Sequence, residues 1–317
     1  MKLRRIRWMG PLRYLEKLRD ERGSLTAVIA IGTVAIFGLV AMATDVGRMT
    51  IAKQHVATVA DAAALSGAQL LPQDPNGAVA TVRQYLQKNG VDPQGVTVAM
   101  NPVDQTMSVI VEDDVEYTFA RILGFTQGHV AAKAVARIQP LSGYNHVVPL
   151  SVVQTDWAMG EEVVLKESPG NGGNLSPGNY GALALGGNGA STYEENLAHG
   201  FDGWVRVGDW VTTKPGDVTG PTERAIQSRI DQDSAATFAT VRKGSPRIVI
   251  VPILESFTPN GRGEVTVVGF GAFFLEGTGG QGNDRGTVRG RFMKQVVTGE
   301  SARTGPDFAT YTIKLTH

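Results

Sequence analysis

Residues 25–44 read LTAVIAIGTVAIFGLVAMAT, without a charged residue or a proline. As an α-helix this stretch is about 30 Å long, which matches the hydrocarbon core of a bilayer. Lysine and arginine are frequent before it, up to Arg22, and Asp45 follows it directly. Short basic flanks stay on the cytoplasmic side of a membrane. The stretch therefore predicts one membrane-spanning helix, with a cytoplasmic N-terminus and with Arg22, Asp45 and Arg48 at the membrane boundaries.

Two other interpretations of this stretch stay open. Ala41, Met42 and Ala43 fit the small-x-small pattern of a signal-peptidase site, which predicts a secreted protein that begins at Thr44. Against this, the apolar run exceeds the roughly 7–15 residues usual in a signal peptide, and helical periodicity continues beyond Ala43. The second alternative is a buried core helix of a soluble protein, and so long an apolar run fits it poorly.

Helical spacing of apolar residues continues past Asp45 without a breaker, which predicts one helix of roughly 45 residues from Leu25 to about Leu71, ended by Pro72 and the turn-forming sequence DPNG. This helix carries a small residue at every fourth position, a spacing that lets another helix or sheet approach closely. The residues of this stripe are Ala60, Ala64 and Ala68. An alanine-rich surface of high helix propensity is the alternative explanation.

The remainder of the chain predicts two differently built parts. Up to Pro140 the pattern predicts a helix at 78–88, a two-stranded hairpin, a helix at 116–123 and a third strand, which together form a compact α-β-β-α-β unit. Beyond Pro140, short apolar runs separated by glycine- and proline-rich turns predict a β-rich domain. Residues 264–276, EVTVVGFGAFFLE, are apolar on both faces and are predicted to form a central strand.

Three further features of the β-rich part carry specific predictions. Two short helices are expected to begin near Ser191, where the capping-box spacing occurs, and at Pro221. Trp204 and Trp210 lie six residues apart, and core packing is favoured for them over an exposed recognition pair for sugar or peptide.

The composition argues against several classes of function. The 317 residues contain 30 Lys plus Arg and 30 Asp plus Glu, so no net charge favours nucleic acid. The chain has no cysteine, which excludes disulfides, thiol catalysis and cysteine metal sites. The five histidines are scattered, and neither a nucleophile elbow nor a Walker loop is present. The sequence therefore predicts a non-enzyme with no catalytic, cofactor or metal site and no small-molecule substrate.

Two glycine-rich loops contain oxygen ligands that calcium accepts, although neither has the EF-hand spacing. One loop holds Asn171, Asn174 and Asn179, and the other holds Asn283 and Asp284. The second loop also has the glycine spacing G-x-G-x-x-G, but a strand pattern follows where a phosphate-binding loop needs a helix. Solvated turns explain both loops, and structural calcium stays an alternative.

Residues from about 21 to 71 together resemble the N-terminal region of TadG-like Flp (tight-adherence) pilus-assembly proteins, the TadE/TadG family. The ARILGF segment and the Ala-rich strand after it also look like that family and extend the resemblance to about Pro140. The specific parts are the Arg-Gly pair before the apolar run, the sequence DVGR at 45–48 and the DAAALSGA stretch at 61–68. The resemblance implies a bitopic envelope protein of a bacterial pilus or secretion machine. It also implies a pilin-like long helix whose second half packs against its own globular domain.

The chain departs from related proteins in two respects. Minor pilins carry a glutamate shortly after the prepilin-peptidase glycine, whereas here Gly23 is followed by SLTAV and Val28 stands at that position. Some relatives also carry a von Willebrand A-type domain with a D-x-S-x-S metal motif, which the sequence Asp231-Gln-Asp233-Ser234 does not match. Processing at Gly23 and metal-dependent adhesion are therefore not implied.

The resulting prediction is an α+β protein that acts as a non-enzymatic, membrane-anchored component of Flp/Tad-type pilus assembly. Its expected partners are the lipid bilayer and other pilus-assembly or pilin subunits, with cell-surface adhesion and secretion as related roles. The predicted division is 1–24, a basic cytoplasmic leader; 25–44, the transmembrane helix; 45–140, a pilin-like helix with a small α+β domain; and 141–317, a β-rich extracytoplasmic domain. The alternatives are a secreted binding or adhesin module released after Ala43, and an envelope hydrolase with a distributed active site.

Overall fold

The computed structural model describes residues 21–168, 180–256, 261–279, 282–302 and 305–316. The helices are α1 (Glu21–Ala68), α2 (Pro75–Lys88), α3 (Ala190–His199) and α4 (Thr219–Gln232). The strands are β1 (Thr97–Asn101), β2 (Thr106–Glu116), β3 (Gln127–Asn145), β4 (Val152–Val153), β5 (Glu162–Lys166), β6 (Trp204–Arg206), β7 (Trp210–Thr212), β8 (Ile248–Leu254), β9 (Glu264–Thr278), β10 (Val288–Met293), β11 (Gln295–Val296), β12 (Glu300–Ser301) and β13 (Thr310–Thr316). The predicted fold class, α+β with a long N-terminal helix before a β-rich part, is confirmed.

The long helix α1 is continuous over 48 residues. Nearly every side chain from 25 to 44 is exposed, whereas most of those from 59 to 68 are buried or half-buried. Among the described residues, α1 is the one helix long and apolar enough to cross a membrane, judged by length and composition. The apolar run at 25–44 and the buried end of the helix at 59–68 therefore suit different surroundings.

The end of α1 differs from the prediction in one respect. The sequence DPNG, expected to terminate α1, instead begins α2. The Asp74 side chain accepts a hydrogen bond from the Gly77 N–H at 2.9 Å, and Pro75 occupies the first helical position. Aspartate as N-cap and proline at the first position are both favourable at a helix start. The turn at 69–73 that follows Ala68 separates the two helices.

The chain divides into two compact units. The first contains residues 21–58 of the described chain together with Val111–Ala132, and the second contains Val59–Ile110 and the described residues from Lys133 onward. Helix α1 and strands β2 and β3 each contribute residues to both units. The domain boundaries predicted at residues 24, 44 and 140 stay predictions, and β3 itself continues through residue 140.

The described strands form two sheets. One has the order β1-β2-β3-β13-β11, and β6 and β12 also pair with β3. Its first two strands are antiparallel, with Thr97 opposite Ile110, as the predicted hairpin requires. The other sheet has the order β4-β8-β9-β10-β5, and β7 also pairs with β9. Strand β9 lies between β8 and β10, so its predicted central position is confirmed.

One hydrophobic core in the second unit joins residues of both sheets. Leu141 and Val205 come from β3 and β6, while Val265 and Phe270 come from β9. Because successive side chains of a strand point to opposite faces, β6 and β7 place Val205 and Val211 in this core. Packing of this kind stabilises a fold that has no cysteine to form disulfides.

The same alternation exposes both tryptophans of β6 and β7. Trp204 is 44% exposed and Trp210 is 69% exposed, so the expected core packing is wrong for this pair. The Arg206 guanidinium lies 5.3 Å from the Trp204 ring centroid, in cation–π geometry. The alternative of an exposed recognition pair for sugar or peptide stays open.

Helices α3 and α4 pack together in the second unit. The Tyr193 and Thr222 hydroxyls are 3.2 Å apart, and the buried Arg229 donates to the Leu197 carbonyl at 2.6 Å. Both helices begin slightly earlier than predicted, α3 at Ala190 and α4 at Thr219. The helix predicted at 116–123 is wrong, since β2 extends to Glu116 and only a short 3-10 turn, Ala120–Leu123, follows.

Lys166, in β5, is a buried cation of the second unit. Its ammonium donates to the carbonyls of Glu167 and Gly286, both at 3.2 Å. Burial lowers the pKa of Lys166 from 10.5 to about 8, although Asp217 and Glu223 oppose the shift. Below pH 8 the lysine is charged in both the folded and the unfolded state, so the folded state bears the full cost of desolvation. Between pH 8 and pH 10.5 this lysine binds more protons in the unfolded chain than in the folded one, so the free energy of unfolding rises with pH.

We therefore expect the free energy of unfolding to rise by about 2 kcal/mol more in the natural protein than in Lys166→Met when the pH is raised from about 8 to about 10.5. Urea titrations of the full chain in detergent micelles at a series of pH values measure this difference. Lys314→Met, which removes an exposed lysine of β13, is the matched control and should follow the natural protein. Parallel pH curves for the natural protein and Lys166→Met would contradict the expectation.

Candidate functional site

The connection between β2 and β3 lies against α1 in the first unit. We call residues 117–126 the hairpin tip. The Asp45 carboxylate of α1 accepts three backbone hydrogen bonds from it: from Thr118 at 2.7 Å, from Phe119 at 3.0 Å and from Ala120 at 2.7 Å. Asp45 is only 5% exposed. An ionised carboxylate has only acceptors and can take all three bonds, and such charge-assisted bonds are stronger than neutral ones.

The local sequence explains why the hairpin tip needs this partner. The tip folds into a 3-10 turn in which the Ile122 N–H donates to Phe119 and the Phe125 N–H donates to Ala120. Gly124 reverses the chain with φ +91°, a conformation that favours glycine. The first N–H groups of any helical turn have no partner within the turn. Asp45 supplies the acceptor from another element, in the manner of an N-cap residue.

Further contacts extend this attachment along α1. The Arg48 guanidinium donates to the Thr118 hydroxyl at 2.5 Å, and the Lys53 ammonium donates to the Ala131 carbonyl. At Gly128 a Cβ atom would stand 2.9 Å from the end of the Met49 side chain and closer still to the Tyr117 hydroxyl, so a larger residue there would require these side chains to shift. The helix thus holds the hairpin through contacts distributed over more than two turns, from Asp45 to Lys53.

An apolar groove of about 1130 Å³ lies between the hairpin and the part of α1 from Val34 to Gln54. Its helix side includes Val34, Phe37 and Ala41, and its hairpin side includes Ile122 and Leu123. Ile122 is 83% exposed and Leu123 is 78% exposed. Large apolar side chains that stand together on a surface generally mark a site of contact with a partner or a membrane.

The residues predicted from sequence are distributed between the two units. Asp45 and Arg48 are brought together at the hairpin tip, where sequence reasoning had placed them only at a membrane boundary. Arg22 lies in α1, but its side chain is outside those that the structure describes. The three alanines of the small-residue stripe are fully buried in the second unit. Their proposed use by a partner stays a prediction.

The burial of the stripe carries its own stability prediction. Ala64→Leu adds three carbon atoms at a position with no exposed surface, and overpacking of this kind destabilises by about 1–3 kcal/mol. Ala80→Leu, at an exposed position of α2, is the matched control and should change the free energy of unfolding little. Urea denaturation of both variants in micelles measures the difference. Equal stabilities would show that the site at Ala64 has room for a larger side chain.

The polar groups of the predicted loops do not form an ion-binding cluster among the described residues, in which no three His, Cys, Asp or Glu side chains are placed to hold a metal ion. Asp284 accepts a hydrogen bond from the Arg289 guanidinium at 3.2 Å. The loop with Asn171, Asn174 and Asn179 and the side chain of Asn283 lie outside the described residues. Structural calcium stays an alternative to the solvated turns predicted for both loops.

The part of the chain that is similar to a known family lies almost entirely in helix α1. Residues 23–70 match the model of the family described as putative Flp pilus-assembly TadE/G-like. This TadE/G-like region contains Asp45, Arg48 and the small-residue stripe. Comparison with curated proteins and with solved structures gives no significant match. The TadE/G-like region supports a role related to Flp/Tad pili, and together with the apolar helix it supports a single-pass membrane protein.

Proposed function

We propose that the protein is a non-enzymatic, membrane-anchored component of Flp/Tad-type pilus assembly. In this proposal, residues 25–44 of α1 span the cell membrane and the basic leader lies in the cytoplasm. The part of the chain after Asp45 lies outside the membrane and contacts pilus or cell-surface partners. The observation that carries the proposal is the TadE/G-like match over 23–70, because it coincides with the helix that is long and apolar enough to span.

The charges around the span support the proposed orientation. Lysine and arginine are concentrated before residue 25, and Asp45 is the first charged residue after it. The positive-inside rule then places the leader in the cytoplasm. A chain without cysteine also suits either side of the membrane, because its folding does not depend on disulfides.

The continuity of α1 supports a permanent anchor over release by signal peptidase. The small-residue pattern of Ala41, Met42 and Ala43 lies inside an unbroken helix, and the following residue pair, Thr44 and Asp45, continues it. N-terminal sequencing of protein from membrane and medium fractions tests this point directly. We expect the protein in the membrane fraction, and a mature N-terminus at Thr44 in the medium would instead favour the secreted adhesin module.

Removal of the protein from its producing cells tests the assembly role. We expect loss of surface pili on deletion and their return with the full-length chain. The control is a chain in which an unrelated span of the same length and polarity replaces residues 25–44. This chain keeps the anchor but loses the contacts that the TadE/G-like sequence of the span itself makes. Normal piliation after deletion would contradict the proposed function.

The absence of native cysteine allows a clean test of the orientation. Two single-cysteine variants serve as reporters: Arg13→Cys in the leader and Val103→Cys in the turn between β1 and β2, where Val103 is 89% exposed. Each variant is treated with a membrane-impermeant maleimide in cells in which the reagent can reach the outer face of the cell membrane. We expect labelling at residue 103 and protection at residue 13 until the membrane is permeabilised. The reverse pattern would overturn the orientation.

A further inference from the structure

The hairpin tip presents two exposed apolar side chains, Ile122 and Leu123, beside the apolar run of α1. We propose that this tip is a second membrane contact, in which Ile122 and Leu123 insert among the lipid acyl chains at the Asp45 end of the span. The inference rests on the proposed anchoring by residues 25–44. It adds that the extracytoplasmic β2–β3 hairpin is attached to the bilayer as well as to the helix.

The depth of the tip follows from its bonds to Asp45. Asp45 directly follows the apolar run, so it marks the level at which the span leaves the hydrocarbon core. Three backbone N–H groups, of residues 118–120, bond its carboxylate at 2.7–3.0 Å. The backbone of the tip is therefore held at the edge of the bilayer, and its side chains extend from there.

The groove and the bonds of the hairpin show which way these side chains extend. Ile122 and Leu123 line the same groove as Val34 and Phe37. Val34 precedes Asp45 by eleven residues, which corresponds to about 16 Å along the helix axis. The groove also continues past Asp45 in the other direction, to Gln54. The bonds of the hairpin decide the direction of the tip: Ala131 bonds Lys53, whereas residues 118–120 bond Asp45. The hairpin therefore approaches the apolar run toward its tip, which places Ile122 and Leu123 on the bilayer side of Asp45.

The polar groups of the hairpin are consistent with this position. The exposed acidic residues Glu112, Asp113 and Asp114 lie on β2, before the tip. Within the tip, Arg121 is the charged side chain, and its guanidinium lies 3.8 Å from the Glu116 carboxylate. Arginine at an interface buries its aliphatic stem while the charged end reaches the headgroups. Phe119 and Phe125, 40% and 64% exposed, add apolar surface beside it.

Lipid is the occupant that the structure favours over a partner helix. The groove is open to the surface of the span, whose side chains are exposed from residue 25 to residue 40. In a bilayer that surface is already covered by acyl chains, so the tip continues an apolar surface that lipid contacts. Moving the exposed Ile122 and Leu123 side chains from water into the acyl chains is favourable, because it removes apolar surface from water.

The test uses single-cysteine variants of the full chain, reconstituted in vesicles of phosphatidylethanolamine and phosphatidylglycerol and labelled with bimane. Ile122→Cys and Leu123→Cys report the tip, Phe37→Cys reports the span, and Val103→Cys is the matched control at an exposed apolar residue of another turn. Doxyl-labelled phosphatidylcholine quenches the label where acyl chains contact it. We expect quenching at 122 and 123 several-fold above that at 103 and comparable with that at 37.

Each other outcome has a distinct meaning. Quenching at residue 37 but not at 122 or 123 overturns the lipid contact and leaves the anchor intact. No quenching at residue 37 overturns the anchor and the lipid contact together. If residues 122 and 123 are unquenched in these vesicles but shielded from aqueous iodide in membranes of piliated cells, a partner protein covers the tip and the lipid contact is wrong.

Discussion

Replacing Asp45 by alanine is expected to release the hairpin tip from α1 while the sheet around β9 stays folded. The substitution removes the acceptor of three charge-assisted hydrogen bonds. Water can reach part of the exposed tip and offsets some of the loss. We therefore expect local opening to become easier, on the order of a hundredfold in the opening equilibrium.

Amide hydrogen exchange of the full chain in micelles measures this opening. Protection should fall at residues 118–120 and change little in β8 and β9. Asp113→Ala removes an exposed carboxylate of the same hairpin and is the matched control, with no expected effect on the tip. Unchanged protection at 118–120 in Asp45→Ala would show that Arg48 and the other contacts hold the tip without the carboxylate.

Phe273→Ala is expected to cause the largest loss of stability in the second unit. Phe273 is fully buried in the central strand β9. Its ring centroid lies 5.8 Å from that of Trp157 and 5.6 Å from that of Phe292. Removing a buried phenylalanine leaves a cavity and costs about 3–5 kcal/mol.

Chemical denaturation of the full chain in micelles, followed by tryptophan fluorescence, tests this expectation. Trp210→Ala, which removes an aromatic side chain that is 69% exposed in β7, is the matched control and should change stability far less. Comparable losses in the two variants would contradict the central place of Phe273 in the core. They would also indicate that Trp210 is covered in solution.

Several elements were predictable because their signal is local. The apolar run and the unbroken helical spacing after it predicted one long helix, and α1 is observed from Glu21 to Ala68. The alternating segments on either side of a polar turn predicted the β1–β2 hairpin. A strand that is apolar on both faces must be covered on both, which predicted the central position of β9.

Other elements were predicted wrongly because local pattern competes with the surrounding fold. Residues 116–123 have helical spacing, but β2 continues to Glu116 through its pairing in the sheet and leaves room only for a 3-10 turn. Trp204 and Trp210 are large and apolar, yet Val205 and Val211 take the inward positions of their strands. Hydrophobicity alone does not reveal which face of a short strand points inward.

The sequence by itself determined the long apolar helix, the α+β class and the similarity to the TadE/G-like family, because each depends on residues that are close together in the chain. Only the tertiary structure decided what Asp45 does, because its three partners lie more than seventy residues away. The same holds for the groove, whose two sides come from α1 and the hairpin tip. A charged residue after an apolar run predicts a membrane boundary, whereas its role as a cap for a distant turn appears only when folding brings the two together.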